Sequence, residues 1–330
     1  MPIHGWNTRA DLAYDRAPHF TEWAIRRGAL QSPFVLVDVG VQGGISPRWQ
    51  HLGSCLEVYG FDALEEAIAP LRAGASPKMH FHATALGNED GERDLFIASE
   101  TTATSFYGHS RSQYDVDPRV GTTAKKRRVP IRRLDSLLAN GEIAQPDFLK
   151  IDCEGFEPEI LRGASNLLKD VSALEIETNF ATSPGYLQTH FWAVYQNLLP
   201  HGFLVCDLAY NRVPRAAFVE RARVLRVRDP ETLPCPTTFN VLFYRESEAT
   251  CVDDLIKRAA ILELYGLRDV AFDILNAEAL RFPNGAEVKK AADLLVTGRL
   301  VLPTSVRKAA AELGRAVRNS IAYRLPFSNR

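Results

Sequence analysis

Three short segments gather carboxylates and glycines where apolar runs stop. Phe34 to Gly44 reads FVLVDVGVQGG, an apolar stretch interrupted by Asp38 and ending in Gly40, Gly43 and Gly44. A strand that finishes in glycines leaves its backbone bare, so a ligand can approach closely at the carboxyl edge of a sheet. The spacing is not that of a dinucleotide turn, because Gly40-Val41-Gln42-Gly43-Gly44-Ile45 does not supply GxGxxG, and Asp38 would repel a pyrophosphate. A ligand carrying an ammonium group suits that aspartate better. Asp62 closes the next apolar run, where a carboxylate can accept hydrogen bonds from both hydroxyls of a ribose. The competing explanation makes Asp38 a turn cap and Asp62 the N-cap of a helix beginning near Leu64. Two acids at corresponding ends of two strands favour a ligand.

The third segment is Lys150-Ile151-Asp152-Cys153-Glu154-Gly155. Alternation would put Lys150, Asp152 and Glu154 on one face if the strand continued, although it is expected to stop at Asp152. Against a catalytic reading stands a Lys150–Glu154 ion pair that fixes the turn, with Glu154 and Glu157 favouring the start of the next helix. Glu175 and Glu177 follow a further strand, and Asp152, Glu177 and Asn179 offer hard oxygen ligands to a divalent cation. Carboxylates at strand ends more often meet water, Lys or Arg, so a site without metal is expected. His80 and His82 alternate in a strand and are assigned to its surface, whereas His109 lies in a polar loop where an acceptor could be deprotonated. The run Lys125 to Arg128 is assigned to a solvated strand edge rather than to a site for acidic substrates.

Around these segments the pattern is βαβ. Val35–Val39, Leu56–Phe61 and His80–Ala85 are expected strands, with helical material from Leu64 between the second and third. From Gly87, an Asp-Gly turn precedes an alternating run that is expected to extend the third strand as a hairpin-like excursion. Polar residues 99–126 form a long loop or substrate lid. Strands at 148–152 and 171–177 flank a helix from Glu157 to Leu168; 191–199 is a helix, and 203–208 pairs with 239–244 as the last two strands. Residues 12–30 are a capping or lid helix. Helix formers dominate beyond Arg245, giving two helices around Gly266 that resemble a single tetratricopeptide unit, and a third in the basic tail. The division is therefore 1–33, a helical segment; 34–245, the main domain; and 246–330, a helical appendage suited to self-packing, homodimerisation or a protein partner.

Composition bounds the function. In 330 residues, 39 Lys and Arg stand against 40 Asp and Glu, which gives no overall reason to expect nucleic acid. Five dispersed cysteines without a CxxC pair indicate neither zinc nor disulfides, and a reducing cytoplasm is expected. No signal-peptide pattern opens the chain and no apolar run is long enough for a transmembrane segment.

From Phe34 to about Thr178 the chain resembles the FkbM-type S-adenosylmethionine-dependent methyltransferases. The resemblance rests on VDVGVQGG, YGFD, ALGNEDGERDLFI, LDSLL and FLKIDCEGFEPEILRGA, which occur in the family's order. It implies an α/β fold of the Rossmann-like class I methyltransferase type: a doubly wound, mostly parallel seven-stranded sheet with an antiparallel last strand. It further implies that Asp38, Gly40, Gly43 and Gly44 shape the methionine end of the cofactor site, with Gln42 of the same turn counted among the cofactor-binding residues. Asp62 would hold the ribose, and Ala85 and Leu86 would lie near the adenine. Gln42 stands where the family commonly has Asn and offers the same amide donor and acceptor. The expected reaction is methylation of a hydroxyl on a sugar, glycan or secondary metabolite, with Asp152 or Glu154 as base beside Lys150. A nucleotide-sugar or NAD-binding enzyme and a catalytically silent cofactor-binding module are the alternatives.

Overall fold

The computed structural model describes residues 16–98, 101, 104–107, 123–179, 191–212, 216–227 and 236–298. His109, most of the 99–126 loop and the basic tail lie outside the described residues. Strands β1 (Phe34–Val39), β2 (Leu56–Asp62) and β3 (Met79–Ala83) are followed by β4 (Ala85–Leu86), β5 (Gly91–Ala98) and β6 (Thr123–Arg132). Then come β7 (Phe148–Ile151), β8 (Ala173–Thr178), β9 (Phe203–Arg212) and β10 (Pro236–Arg245). Seven of them form one sheet in the order β3-β2-β1-β7-β8-β10-β9, parallel from β3 through β8 and antiparallel on both sides of β10.

Alternation within the strands divides the core in two. Phe34, Leu36 and Phe148 face one side, and Val37, Val39, Leu149 and Ile151 face the other. On the second side lie α3 (Leu134–Ala139), α4 (Glu157–Arg162) and α5 (Phe191–Leu198), together with a three-stranded sheet β4-β6-β5. The 91–98 run therefore does not extend β3. It pairs antiparallel with β6, Leu95 opposite Arg127 and Asp94 opposite Arg128, because β6 offers it a full-length partner. Since β4 reaches only Ile131 and Arg132, Lys125–Arg128 are left exposed. Their charges meet Asp94, Glu92 and Glu66.

The first side is covered by α1 (His19–Arg26), α7 (Val252–Leu264), α8 (Arg268–Glu278), α9 (Gly285–Ala291) and α10 (Asp293–Thr297), with α2 (Glu65–Ala73) nearby. The lid expected from residues 12–30 is not what α1 is. Its Phe20 and Thr21 amides and the Thr21 hydroxyl donate to buried Glu263 of α7, so the helix packs on the C-terminal helices, and none of its residues lines the cavity described below. Asp253 likewise accepts from the Gln31 amide and the Ser32 hydroxyl. Lys257 reaches the Pro33 carbonyl at 2.6 Å and Asp147 at 3.1 Å. Among the described residues, no helix is long and apolar enough to cross a membrane.

Candidate active site

The parallel strands end together. Asp152 N donates to the Val39 carbonyl at 3.0 Å, and Gly40 N and Val41 N donate to the Phe61 carbonyl at 2.8 and 3.1 Å. These bonds hold the turns after β1, β2 and β7 around one mouth. Gly40 has φ +84°, and a Cβ on it would sit 1.9 Å from the Asp152 carbonyl oxygen. Only glycine lets the two chain segments cross there. The cavity they frame measures about 250 Å³.

Asp62 stands on one wall. Its Oδ1 accepts from the Leu64 amide at 2.8 Å, so the capping role holds for that oxygen while the carboxyl also lines the cavity. Burial raises its pKa, with the Leu64 hydrogen bond opposing. Gln42, Ala85 and Leu86 line the same space, and Gln42 Nε2 donates to Thr101 Oγ1 at 2.8 Å. Apolar walls come from Leu64, Leu95, Phe106 and Phe156. Gly43 and Gly44 shape the turn without lining the cavity.

The cavity lining also includes Asp152, Glu154 and Glu177, each offering an oxygen within 4.8 Å of the others. Glu154 joins the Asp152 and Glu177 pair that the sequence put forward as oxygen ligands. Since β7 stops at Ile151, Glu154 reaches the cavity through a left-handed residue, φ 49°, whose carbonyl accepts from Ser105 Oγ at 2.6 Å. Burial drives the Glu177 carboxyl well above its ordinary range, and Asp152 and Glu154 add to the shift. A hydrogen bond with Asp152 pushes it the same way. Glu157, which sequence reasoning placed at a helix start, is buried and accepts from the Cys153 amide at 2.8 Å and the Gly155 amide at 3.2 Å. Burial lifts its pKa to about 7 against those bonds.

Asp38 and Lys150 do not line the cavity. They belong to a charged row under it, in which Asp38, Lys150 and Glu175 are register neighbours on β1, β7 and β8. Lys150 Nζ lies 3.6 Å from Asp38 Oδ1 and 3.3 Å from Asp152 Oδ2, so its partners are these and not Glu154. Burial disfavours the ammonium, but Asp38, Asp152 and Glu175 outweigh it and hold Lys150 charged. Burial lifts Asp38 to about 6, with Lys150 opposing. Tyr265, just past α7, closes the row: its hydroxyl donates to Glu175 Oε2 at 2.5 Å, and the Arg48 guanidinium lies 4.0 Å from its ring centroid. Sequence reasoning missed Tyr265. The available signal was a polar residue at the same parity in three apolar strands, FVLVDV, FLKI and ALEIET.

Among the described residues, His80 and His82 do not line this cavity. His82 stacks on Phe61 at 5.0 Å and is half-buried, while His80 stacks on Tyr59.

The chain is similar to several known proteins. A 50-residue stretch is 36% identical to the hexuronic acid methyltransferase AglP of Haloferax volcanii, covering 15% of this chain and 21% of that protein. The methyltransferase FkbM structure from Methylobacillus flagellatus KT shares 14% identity over 69% of this chain and 48% of its own, with a TM-score of 0.35. The S-adenosylmethionine-bound magnesium protoporphyrin IX methyltransferase of Synechocystis PCC 6803 shares 11% identity over 68% and 76%, with a TM-score of 0.32. This chain thus spans about half of the FkbM structure and a fifth of the curated relative. Residues 38–204, half of the chain and the part that builds the cavity, match the methyltransferase FkbM domain, and the protein belongs to that family.

Proposed function

We propose that this methyltransferase uses S-adenosylmethionine and methylates a hydroxyl oxygen on a sugar-bearing acceptor. The observation that carries the reading is one cavity at the carboxyl ends of the strands whose lining includes Asp62 together with the cluster Asp152, Glu154 and Glu177. The residues fit the cofactor: Asp62 would accept from the ribose hydroxyls, Ala85 and Leu86 would flank the adenine, and the turn at Gly40 and Gln42 would face the methionine end. When bound, the cofactor supplies a methyl group on a positively charged sulfur. The sugar class rests on the short match to a hexuronic acid methyltransferase.

The protein's own residues orient and deprotonate. Lys150 fixes one oxygen of Asp152 at 3.3 Å, and Glu177 lies beside the same carboxylate, which leaves Asp152 aimed to accept the acceptor's proton. Holding the hydroxyl in line is worth more than the proton transfer itself. The neutral thiol of Cys153, which burial pushes up, takes no nucleophilic part. The reading is metal-free, with the Lys150 ammonium, 3.3 Å from Asp152 Oδ2, as the cation beside the acid cluster. Retained transfer after dialysis against EDTA is the expected result.

Isothermal titration with S-adenosylmethionine, S-adenosylhomocysteine and NAD tests the cofactor. Binding of NAD without either sulfur compound would overturn it. Methyl transfer assayed over uronic acids and neutral glycosides then tests the acceptor class.

A further inference from the structure

We propose that the cavity end of the protein docks on an anionic lipid surface through α6 (Ala216–Val224) and the turn that follows it. This rests on exposure and charge, and it stands whether or not the cofactor reading holds. Phe218 is 41% exposed, Val224 61%, Leu225 57% and Val227 46%, and no described residue of the helix or turn is buried. Single exposed apolar residues are ordinary, but four within ten positions on one short element are not. Interleaved with them are Arg221, Arg223 and Arg226 against one acid, Glu220. Arg223 spends its charge on Glu220 at 3.1 Å, whereas Arg221 and Arg226 have no carboxylate partner among the described residues.

Topology fixes which way this element faces. β9 runs parallel to β8, since both are antiparallel to β10; Tyr210 and Thr178 both stand opposite Phe239. The residues after Arg212 therefore emerge at the carboxyl end of the sheet, the end that carries the cavity. Trp192 is at that end too, because Phe191 N donates to the Asn179 carbonyl at 2.8 Å just past β8, and it is 55% exposed. An exposed tryptophan at the same end of the sheet as a cationic helix with exposed apolar residues is a composition suited to the headgroup layer.

Other occupants fit the chemistry less well. A second copy would bring like-charged arginines together at a two-fold contact. The basic segment 299–330 has the same sign. Nucleic acid would find phosphate partners but no use for Val224, Leu225 and Val227. Arginines near an anionic surface contribute about 1 kcal/mol each, so replacing two of them lowers partitioning roughly 30-fold.

The test is co-sedimentation of the full chain with vesicles of phosphatidylcholine alone or mixed with phosphatidylglycerol. Binding is expected only to the mixed vesicles and should fall with added salt. Arg221→Gln with Arg226→Gln should lower it roughly 30-fold, and Phe218→Asp with Leu225→Asp should lower it to the level of neutral vesicles. Unchanged circular dichroism and melting would show that both double variants fold. Equal binding to neutral vesicles, no binding, or binding that ignores both variants overturns the proposal. So does self-association of the wild type that Phe218→Asp abolishes, which would assign the face to a second copy.

Discussion

At the scale of single residues the carboxylates fall into separate tasks set by burial. Asp62 faces the cavity with one oxygen already used by the Leu64 amide, so its removal loses a local cap and, on the proposed reading, the contact to the ribose hydroxyls. Asp62→Ala should weaken S-adenosylmethionine binding about 10- to 100-fold, since a hydrogen bond to a charged group is worth roughly 1.5–3 kcal/mol. Asp152→Asn should instead leave cofactor affinity within about threefold and lower kcat by about 100-fold or more, as expected of a lost general base. Titration and steady-state kinetics on both variants separate the roles; equal effects on binding would break the division. Glu157 acts on stability. Its folded pKa, about 7, lies above the 4.5 of an ordinary glutamate, so between those values the native state binds more protons than the unfolded one. Stability contributed by protonated Glu157 is thus present at low pH and lost as pH rises through 7, by about 3 kcal/mol in all. Glu157→Gln keeps an acceptor for the Cys153 and Gly155 amides, and its melting temperature should fall less than that of the wild type between pH 5 and about 8. Parallel curves would mean that Glu157 does not titrate in that window.

At the scale of elements the site depends on how tightly the turn after β1 crosses the end of β7. Gly40→Ala places a Cβ 1.9 Å from the Asp152 carbonyl and strains a left-handed backbone, whereas Gly43→Ala, with the same φ of +84°, meets nothing within 4 Å. The second substitution should cost roughly 1–2 kcal/mol. The first should cost clearly more and also disturb Asp152. Denaturant melts of the pair check this, and equal losses would show that the crossing relaxes freely. That crossing could be read in outline from the sequence, because FVLVDVG and FLKIDCEG are apolar runs with abrupt polar ends, and period-two alternation survives without any tertiary information. The second sheet could not be read. β6 announces itself with Lys125-Lys126-Arg127-Arg128, a charged run with no apolar alternation, and its partner β5 lies 25 residues earlier. What stabilises that pairing is cross-strand charge and the Ile131 side of the core, neither visible in one segment alone. Likewise Glu154 enters the cavity only because the chain turns left-handed after β7, a choice made by Gly155 and the Ser105 hydrogen bond rather than by alternation.

For the whole molecule, the C-terminal helices change meaning once their contacts are known. They look like an appendage in sequence because composition shifts after Arg245, yet they cover the sheet face that carries Phe34, Leu36 and Phe148 and the charged row beneath the cavity. Tyr265 is 2% exposed and stacks on Phe148 at 5.4 Å, with Trp49 at 6.1 Å. Its hydroxyl is the donor that Glu175 meets from the helical side. Tyr265→Phe keeps the ring packing and strips that donor from a buried carboxylate, at a cost of about 1–3 kcal/mol. Because Glu175 neighbours Lys150, which holds Asp152, the same substitution should shift the pH dependence of methyl transfer, a readout that lost packing alone would not move. Dissection at Arg245 is the more severe case. We expect residues 34–245 expressed alone to be insoluble or molten, since the cut bares that apolar face and leaves Asp147 without Lys257. Limited proteolysis and near-ultraviolet circular dichroism of the fragment decide the matter. A cooperative melt from it would mean that the sheet carries its own stability and that the helices serve only their contacts.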